Sequence, residues 1–288
     1  MDWSRAKTLL IIAYTLFNVF LGYRLLSDPV RGSMTLVTLQ QVEAAAQDLA
    51  SQGVLLAATV PRRAPAMSLI LLRHQEMTES QALALFFEEE GEVRRSEKAD
   101  GRVVLENSLE SLTRYENGVL LYSRKVRTQD ATQVAQALAR EQAQEFWSQR
   151  GGLPPGARPD YVAYDEKSDR HIVQYYQEYQ GYPIYGGQIS VVVGPGGVEA
   201  VLFVWFSPAG PSGKPKQVLA ATDALLKCLE ALGRDTTVEA VTLGYYSEAY
   251  NATQWEAPPV WRIRTRTGDT LYVNAYTGDL EGPVSIVP

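Results

Sequence analysis

The chain has 288 residues, of which 45% are hydrophobic and 21% charged, a composition typical of folded proteins that argues against wholesale disorder. One cysteine excludes an intramolecular disulfide framework and a multi-cysteine zinc site, and two histidines leave little for metal binding. The net charge of −6 and the pI near 5.2 disfavour a general nucleic-acid binder, because a phosphate backbone needs clustered Lys and Arg.

The first segment of interest is the apolar run over residues 9–26. Its 18 residues include one charged side chain, Arg24, and at 1.5 Å per residue they span roughly 27 Å, enough to cross a bilayer core. A cleaved signal peptide is the alternative, with Arg5 and Lys7 as its basic start, but the following residues lack a small-x-small cleavage site. We therefore predict an uncleaved single-pass anchor in the cell membrane, with residues 1–32 as cytoplasmic tail and anchor and the rest extracytoplasmic.

One face of this predicted anchor carries a polar pattern. Ile11, Thr15, Asn18, Gly22 and Leu25 recur at alternating spacings of four and three, so they share one side of a helix. A small residue lets helix backbones approach, and an Asn in lipid gains by hydrogen bonding across a helix interface. We interpret this face as a contact with partner helices; the alternative is that the anchor tolerates a single Asn and the spacing is chance.

Residues 33–127 are predicted to form an N-terminal α+β domain. Helical periodicity and alternation predict, in chain order, a helix over 39–52, strands over 54–60 and 66–73, and a helix over 78–89. Gly53 ends the first helix, Thr78 caps the second, and the prolines of 61–65 separate the two strands.

A meander is predicted to follow within the same domain. Its strands cover 92–98, 102–106, 112–116 and 119–125. The pairs Asp100-Gly101 and Asn117-Gly118 predict type I′ hairpin turns, which require positive φ at both central residues.

Residues 128–288 are predicted to form a C-terminal domain of two tandem α+β modules. The predicted elements are a helix over 130–149, strands over 160–164, 172–179, 184–193 and 198–206, a Gly/Pro linker over 208–215, a helix over 216–232, and strands over 239–246, 259–266 and 270–275. Residues 151–156 read as a loop and residues 194–197 as a tight hairpin. A helix followed by a sheet occurs twice, so we predict an α+β fold in which helices pack on antiparallel sheet.

Few residues are candidates for catalysis or metal binding. No G-x-S-x-G, H-E-x-x-H, Walker A or dinucleotide-binding motif occurs. His171 lies near Asp165, Glu166 and Asp169, a grouping that is more typical of a solvated turn between strands than of an acid–base site. His74 is expected at the surface, and Cys228 is expected to be a buried, inert thiol. The sequence therefore predicts no catalytic residue, no cofactor and no metal.

Tyrosines crowd one stretch of the predicted sheet. The residues concerned are Tyr175, Tyr179, Tyr182 and Tyr185, with Tyr176 on the opposite strand face. Packing on a half-buried sheet is the first interpretation, and a protein-binding surface is the second, since Tyr is enriched in interfaces.

Two sequence patterns resemble known families. The opening run of residues 1–8, which leads directly into an apolar helix containing Asn18 and Leu21-Gly22-Tyr23, resembles the YycI family. Tyr175-x-Gln177-x-Tyr179-x-Gly181-Tyr182-Pro183-Ile184-Tyr185-Gly186-Gly187, together with residues 260–263 and 272–279, is similar to PepSY-type modules. The first resemblance is short and distinctive, and the second covers roughly residues 130–285.

The YycI resemblance implies a non-enzymatic regulator. Such proteins are membrane-anchored, act beside a YycH-like protein on the sensor histidine kinase WalK of the WalK–WalR system, and thereby control cell-wall metabolism in Gram-positive bacteria. Contacts through transmembrane helices and extracytoplasmic domains, in a homo- or hetero-dimer, follow from the same resemblance. Two other classes stay open at the level of sequence: a PepSY-like protease inhibitor or propeptide, and a cell-wall enzyme with an unrecognised cleft.

Overall fold

The computed structural model describes residues 14–15, 17–18, 35–88, 92–125 and 134–285, with side chains described to residue 282. Residues 14, 15, 17 and 18 are helical, and Thr15 and Asn18 of the predicted anchor face are exposed. Ile11, Gly22 and Leu25 lie outside the described residues. Among the residues that are described, no helix is long and apolar enough to cross a membrane. The anchor over residues 9–26 stays a prediction.

The first two helices begin within one residue of the predicted positions, and the next two begin five or six residues after them. The helices of the folded part are α1 (Leu39–Ser51), α2 (Glu79–Phe86), α3 (Gln136–Ser148), α4 (Ala221–Lys227) and α5 (Leu229–Leu232). Thr38 and Thr78 each accept a hydrogen bond from the N–H group three residues on, and the Gln at that position reaches back to the cap. Thr78 is therefore confirmed as a cap. The helix predicted over 216–232 is shorter, because it starts at Ala221 and breaks at Cys228.

The remaining elements are strands. They are β1 (Thr35–Leu36), β2 (Val54–Leu56), β3 (Arg63–Ala64), β4 (Ala66–His74), β5 (Arg94–Glu97), β6 (Val103–Glu106), β7 (Glu110–Arg114), β8 (Leu120–Arg124), β9 (Ala157–Asp165), β10 (Arg170–Tyr179), β11 (Tyr182–Gly194), β12 (Gly197–Phe203), β13 (Phe206–Gln217), β14 (Thr236–Tyr245), β15 (Trp255–Ala257), β16 (Pro259–Thr265), β17 (Thr270–Asn274) and β18 (Leu280–Ser285). The fold is mixed α+β, as predicted, and it is mostly sheet.

Most strands join one large sheet. Its order is β18-β17-β16-β14-β11-β12-β8-β7-β6-β5, with β10 and β9 branching from β11 and β2 pairing with β14. The long strand β11 joins the two halves: Ile184 pairs in parallel with Tyr245 of β14, and residues from Ile189 onward pair with β12. A separate three-stranded sheet has the order β13-β4-β15.

Two hydrophobic cores stabilise these sheets. The first, here the aliphatic core, includes the buried residues Leu49, Val54, Ile70, Leu72, Phe206, Leu225, Trp261, Ile263 and Val273. The second, here the aromatic core, includes Phe86, Leu112, Tyr122, Phe146, Trp147, Ile189, Val191, Phe203 and Trp205. Each core contains residues from both sides of the predicted domain boundary at residues 127–128, because β8 pairs with β12, β2 with β14 and β4 with β13.

The predicted turn type is wrong in the meander. Only the glycine of each pair has a positive φ, 78° at Gly101 and 73° at Gly118. The N–H groups of these glycines donate to the carbonyl oxygens of Lys98 and Tyr115. The loops are therefore three-residue turns that end in a left-handed glycine, rather than type I′ turns.

The predicted Gly/Pro linker over 208–215 is also wrong, since these residues lie within β13. β13 pairs with β4 on one side only, and its register shifts between Pro208 and Gly210 and again between Ser212 and Lys216. An edge strand tolerates proline because its outward N–H groups need no partner strand, and bulges absorb the extra residues. The short strands β1, β3, β15 and β18 were not predicted.

Candidate functional site

Among the residues that the structure describes, a large groove lies between the two cores. Two adjoining cavities of about 1150 Å³ and 830 Å³ form it. Both are lined by the end of β4 and the residues after it, by Trp205 between β12 and β13, and by the loop before β15; the shared residues are His74, Gln75, Glu76, Trp205 and Asn251. Concave sites of this size are where ligands and extended peptides bind.

Alternation of successive side chains builds the floor of the groove. Trp205 belongs to the aromatic core, where its ring lies 6.0 Å from that of Phe203. The next residue, Phe206, belongs to the aliphatic core and contacts Trp255 edge to face at 5.4 Å. Neighbouring side chains of an extended segment point to opposite sides, so residues 205 and 206 insert into different cores. The groove lies over this crossing point.

A buried glutamine and two glycines fix the crossing point. The Gln177 amide donates from Nε2 to the Phe206 carbonyl oxygen at 2.7 Å and accepts from the Phe206 N–H at 3.1 Å. A Cβ on Gly187 would lie 2.3 Å from Gln177 Oε1, and one on Gly186 would lie 1.5 Å from the Ser247 carbonyl oxygen. Gly186 and Gly187 lie within β11, so they serve close backbone packing rather than phosphate binding.

One wall of the groove is the loop over residues 246–254. His74 Nε2 donates to the Tyr250 carbonyl oxygen, and its ring lies 4.7 Å from that of Trp255. Asn251 Nδ2 donates to Glu116 Oε2 at 3.0 Å, and Asn117 Nδ2 donates to the Ala249 carbonyl oxygen at 3.1 Å. The loop is thus held to both β4 and the turn between β7 and β8. His74 is half-buried and lines the groove at the surface, with long-range partners that the sequence did not indicate.

The charges around the groove are mixed. Arg73 and Arg114 contribute positive charge, and Glu76, Glu116 and Glu178 contribute negative charge. No single sign dominates among these side chains, while Tyr115, Tyr179 and several prolines supply apolar surface. Such a surface suits an extended polypeptide better than a small ion.

The predicted acidic turn near His171 has its own internal hydrogen bonds. Asp165 accepts from the Ser168 hydroxyl and the Lys167 N–H, and these two bonds, the hydroxyl first, lower the pKa of its carboxyl. Asp169 accepts from the Tyr164 hydroxyl at 2.7 Å. His171 is 8% exposed, and its Nε2 donates to the Val134 carbonyl oxygen at 2.8 Å. These contacts support the interpretation as a structural turn, with Glu166 exposed to solvent.

Cys228 lies in the aliphatic core, as the sequence indicates. It is 1% exposed, and its thiol donates to the Leu225 carbonyl oxygen at 3.4 Å. Burial raises the pKa of the thiol to about 12. A thiol with this pKa is not a nucleophile at neutral pH.

The four singled-out tyrosines fall into two pairs. Tyr175 and Tyr185 are 6% and 3% exposed, so they pack inside the sheet layers and cannot present a binding surface. Tyr179 and Tyr182 are half-buried against the aliphatic core, and Tyr179 also lines the groove. A protein-binding role stays a prediction for this second pair, and for Tyr175 and Tyr185 the packing interpretation applies.

The sequence did not predict one polar cluster of the structure. Arg262 donates to Asp160 through both terminal nitrogens, at 2.5 Å and 3.0 Å, and its guanidinium lies 4.4 Å from the centre of the Tyr185 ring. Strand alternation places the side chains of Arg262 and Trp261 on opposite faces of β16, but no sequence signal indicates a partner for Arg262 that is 102 residues away. The ion pair connects β9 to β16.

Comparison with known proteins gives one family. The family model described as "YycI protein" matches residues 33–276. No curated protein matches. A similar solved structure is the crystal structure at 1.45 Å of an uncharacterized protein from Eubacterium rectale ATCC 33656, which is 10% identical, covers 84% of this chain and 99% of its own, and has a TM-score of 0.47.

Proposed function

Because this chain belongs to the YycI protein family, we propose that it is a non-enzymatic, membrane-anchored regulator of a WalK-like sensor histidine kinase. The proposal rests on the family match over residues 33–276, since that family suggests a regulator of the WalK two-component system. The finer parts of the proposal are the anchor over residues 9–26, a YycH-like partner, and an output in cell-wall metabolism.

The groove between the cores is the surface that we assign to extracytoplasmic protein contacts. Its size, its half-buried Tyr115 and Tyr179 and its mixed charges support an extended segment of a partner protein as the occupant. The residues that first suggested catalysis have packing or turn-forming contacts instead: His171 to Val134, Asp165 to Ser168, and Cys228 to Leu225. These contacts give the three residues structural roles.

Co-purification of the full chain from membranes in mild detergent tests the proposal. We expect a sensor kinase and a YycH-like protein among the recovered partners. Recovery of a peptidase instead would favour the PepSY-like inhibitor, and turnover of cell-wall fragments by the purified chain would favour an enzyme; either result contradicts the proposal.

A double substitution in the groove, with a matched control outside it, tests where the partner binds. Glu76→Arg with Ala252→Arg adds two long cations to the exposed lining of the groove, and we expect partner recovery to fall. The matched control is Glu166→Arg with Ala137→Arg, at two exposed positions outside the groove. Equal recovery from both variants, at the same expression level, would remove the groove from the proposal.

The proposed topology has a separate test. Protease added to intact protoplasts is expected to digest residues 33–288, because a basic-flanked uncleaved anchor places them outside the cell. Complete protection of this part would contradict the topology.

A further inference from the structure

An exposed patch of leucines and basic residues lies at β1 and the start of α1. Leu36 in β1 and Leu39 at the start of α1 are 57% and 61% exposed. Arg62 and Arg63 lie next to them: Arg63 pairs with Leu36 in the β1–β3 ladder, and the Arg62 carbonyl oxygen accepts from the Val37 N–H at 2.8 Å. Two apolar and two cationic side chains therefore share the point at which the chain enters the fold.

Two lysines extend the same patch. The end of β13 pairs with the start of β4, which places Lys216 opposite Met67, and Gln217 Nε2 donates to the Ala64 carbonyl oxygen at 2.6 Å. Lys214 and Lys216 are exposed. We call the following six residues the entry patch: Leu36, Leu39, Arg62, Arg63, Lys214 and Lys216.

The charge of the entry patch is opposite in sign to the net charge of residues 33–288. Residues 1–32 contain four basic and two acidic side chains. The other 256 residues therefore carry 23 basic and 31 acidic side chains, a net charge of −8. Within the described part of the chain, none of the ion pairs involves the four cations of the patch. The nearest acid on α1 is Glu43, about 6 Å further along the helix from Leu39.

We propose that the entry patch lies against the anionic surface of the lipid bilayer, with Leu36 and Leu39 inserted among the headgroups and the four cations on lipid phosphates. This inference rests on the anchor of the proposed function. Residue 35 follows the end of the predicted anchor by nine residues, a distance of at most about 30 Å even when fully extended. Exposed apolar side chains beside clustered Lys and Arg are the composition of an interfacial membrane contact. The contact orients the fold relative to the membrane.

A lipid-quenching experiment on the full chain tests the contact. The protein carries Leu39→Cys labelled with a fluorescent dye, while Cys228 stays unlabelled because it is 1% exposed. It is reconstituted in nanodiscs of phosphatidylcholine and phosphatidylglycerol in equal parts, with a headgroup-level quencher on a lipid. We expect strong quenching at residue 39, and little in a second sample labelled through Leu138→Cys on α3, which is 44% exposed.

Charge reversal separates the contact from simple tethering. Arg62→Glu with Arg63→Glu is expected to reduce quenching roughly twofold or more, and discs of phosphatidylcholine alone should give a similar loss. The matched control, Arg94→Glu with Arg234→Glu at exposed positions elsewhere, should leave quenching unchanged. Unaltered quenching in the Arg62/Arg63 variant would overturn the proposal, because the anchor alone would then explain it.

The remaining outcomes distinguish this inference from the proposed function. Protein that stays in the discs but shows no quenching at residue 39 overturns the membrane contact and leaves the anchor intact. Shielding of the dye only after a partner protein is added also overturns it, because a protein would then cover the patch. Protein that fails to enter discs at all overturns the anchor and the inference together.

Discussion

The two cores of this protein are built from different side chains. Among the described residues, aromatic rings account for seven of the 19 buried residues of the aromatic core and for three of the 25 of the aliphatic core. Small residues of α4, such as Ala221 and Ala224, let helices approach closely in the aliphatic core. Rings at 5–6.5 Å fill the aromatic core, which lies beneath one side of the groove. The sheet is thus packed in two ways, by closely approaching helices in the aliphatic core and by large rigid rings in the aromatic core.

The largest expected effect is loss of a ring from the aromatic core. Trp147 is 1% exposed and contacts Phe86, Phe146 and Phe203. Trp147→Ala should lower the free energy of unfolding by about 3–5 kcal/mol, measured by urea denaturation, because the rigid neighbours cannot fill the cavity.

A conservative change at the same position provides the control. The indole N–H of Trp147 is buried without a hydrogen-bond partner among the described residues. Trp147→Phe removes this unsatisfied donor and keeps a ring, so it should cost clearly less. If Leu225→Ala in the aliphatic core costs more than Trp147→Ala, the distinction between the two cores has no energetic meaning.

The second-largest effect is expected at the ion pair that connects β9 to β16. The side chains of Arg262 and Asp160 are 9% and 14% exposed. Asp160→Ala leaves a buried guanidinium without its carboxylate and should cost about 3 kcal/mol in a thermal or urea melt. The double variant Asp160→Ala with Arg262→Met should recover most of this loss, since no buried charge is left. Equal stability of the single and double variants would mean that Arg262 reaches solvent.

A smaller effect concerns alkaline stability. Burial raises the pKa of the Cys228 thiol from 9.0 to about 12, so the folded state keeps this thiol protonated where the unfolded state ionises it. The resulting stability is fully present below pH 9 and is lost as pH rises toward 12. At about pH 10 the loss from this group is about 1.4 kcal/mol.

The comparison with Cys228→Ala isolates this contribution from that of the tyrosines. Tyr185, Tyr245 and Tyr246 also have a pKa raised to about 12 by burial, and they affect both proteins equally. Urea melts at neutral pH and near pH 10 should show a smaller alkaline loss for Cys228→Ala. An identical loss in the two proteins would mean that Cys228 ionises in the folded state.

Local patterns of sequence predicted much of this fold. Helical periodicity and caps gave α1 and α2 to within a few residues, and alternation gave the strands of the meander and β9–β12. The boundaries failed where tertiary context decides: β13 is a strand despite its prolines because β4 pairs with its inner edge only. The turns failed because the difference between one and two left-handed residues is not visible in Asp-Gly or Asn-Gly.

The groove and the ion pair were less accessible to sequence analysis. The lining of the groove brings His74 to Tyr250 and Asn251 to Glu116 across 176 and 135 residues, and no local period reports such separations. The tyrosines show the same limit, since their spacing grouped four residues that the structure divides into a buried and a half-buried pair, with a register shift between β10 and β11 at Tyr176 and Gln177.

The smallest effect is expected at the proposed anchor. Asn18→Leu with Gly22→Leu removes the polar side chain and the small residue from the face that also includes Ile11, Thr15 and Leu25. A hydrogen bond across membrane helices contributes roughly 0.6 kcal/mol on average, so partner recovery should fall modestly, and less than in the groove variant Glu76→Arg with Ala252→Arg.

The matched control, Phe17→Leu with Phe20→Leu, changes the opposite face and should leave recovery unchanged. Detergent co-purification at equal expression would contradict the role of the face if both anchor variants recover the partners equally, because the anchor would then only tether. A larger loss from the anchor variant than from the groove variant would move the main partner contact from the crossing point of the two cores into the membrane.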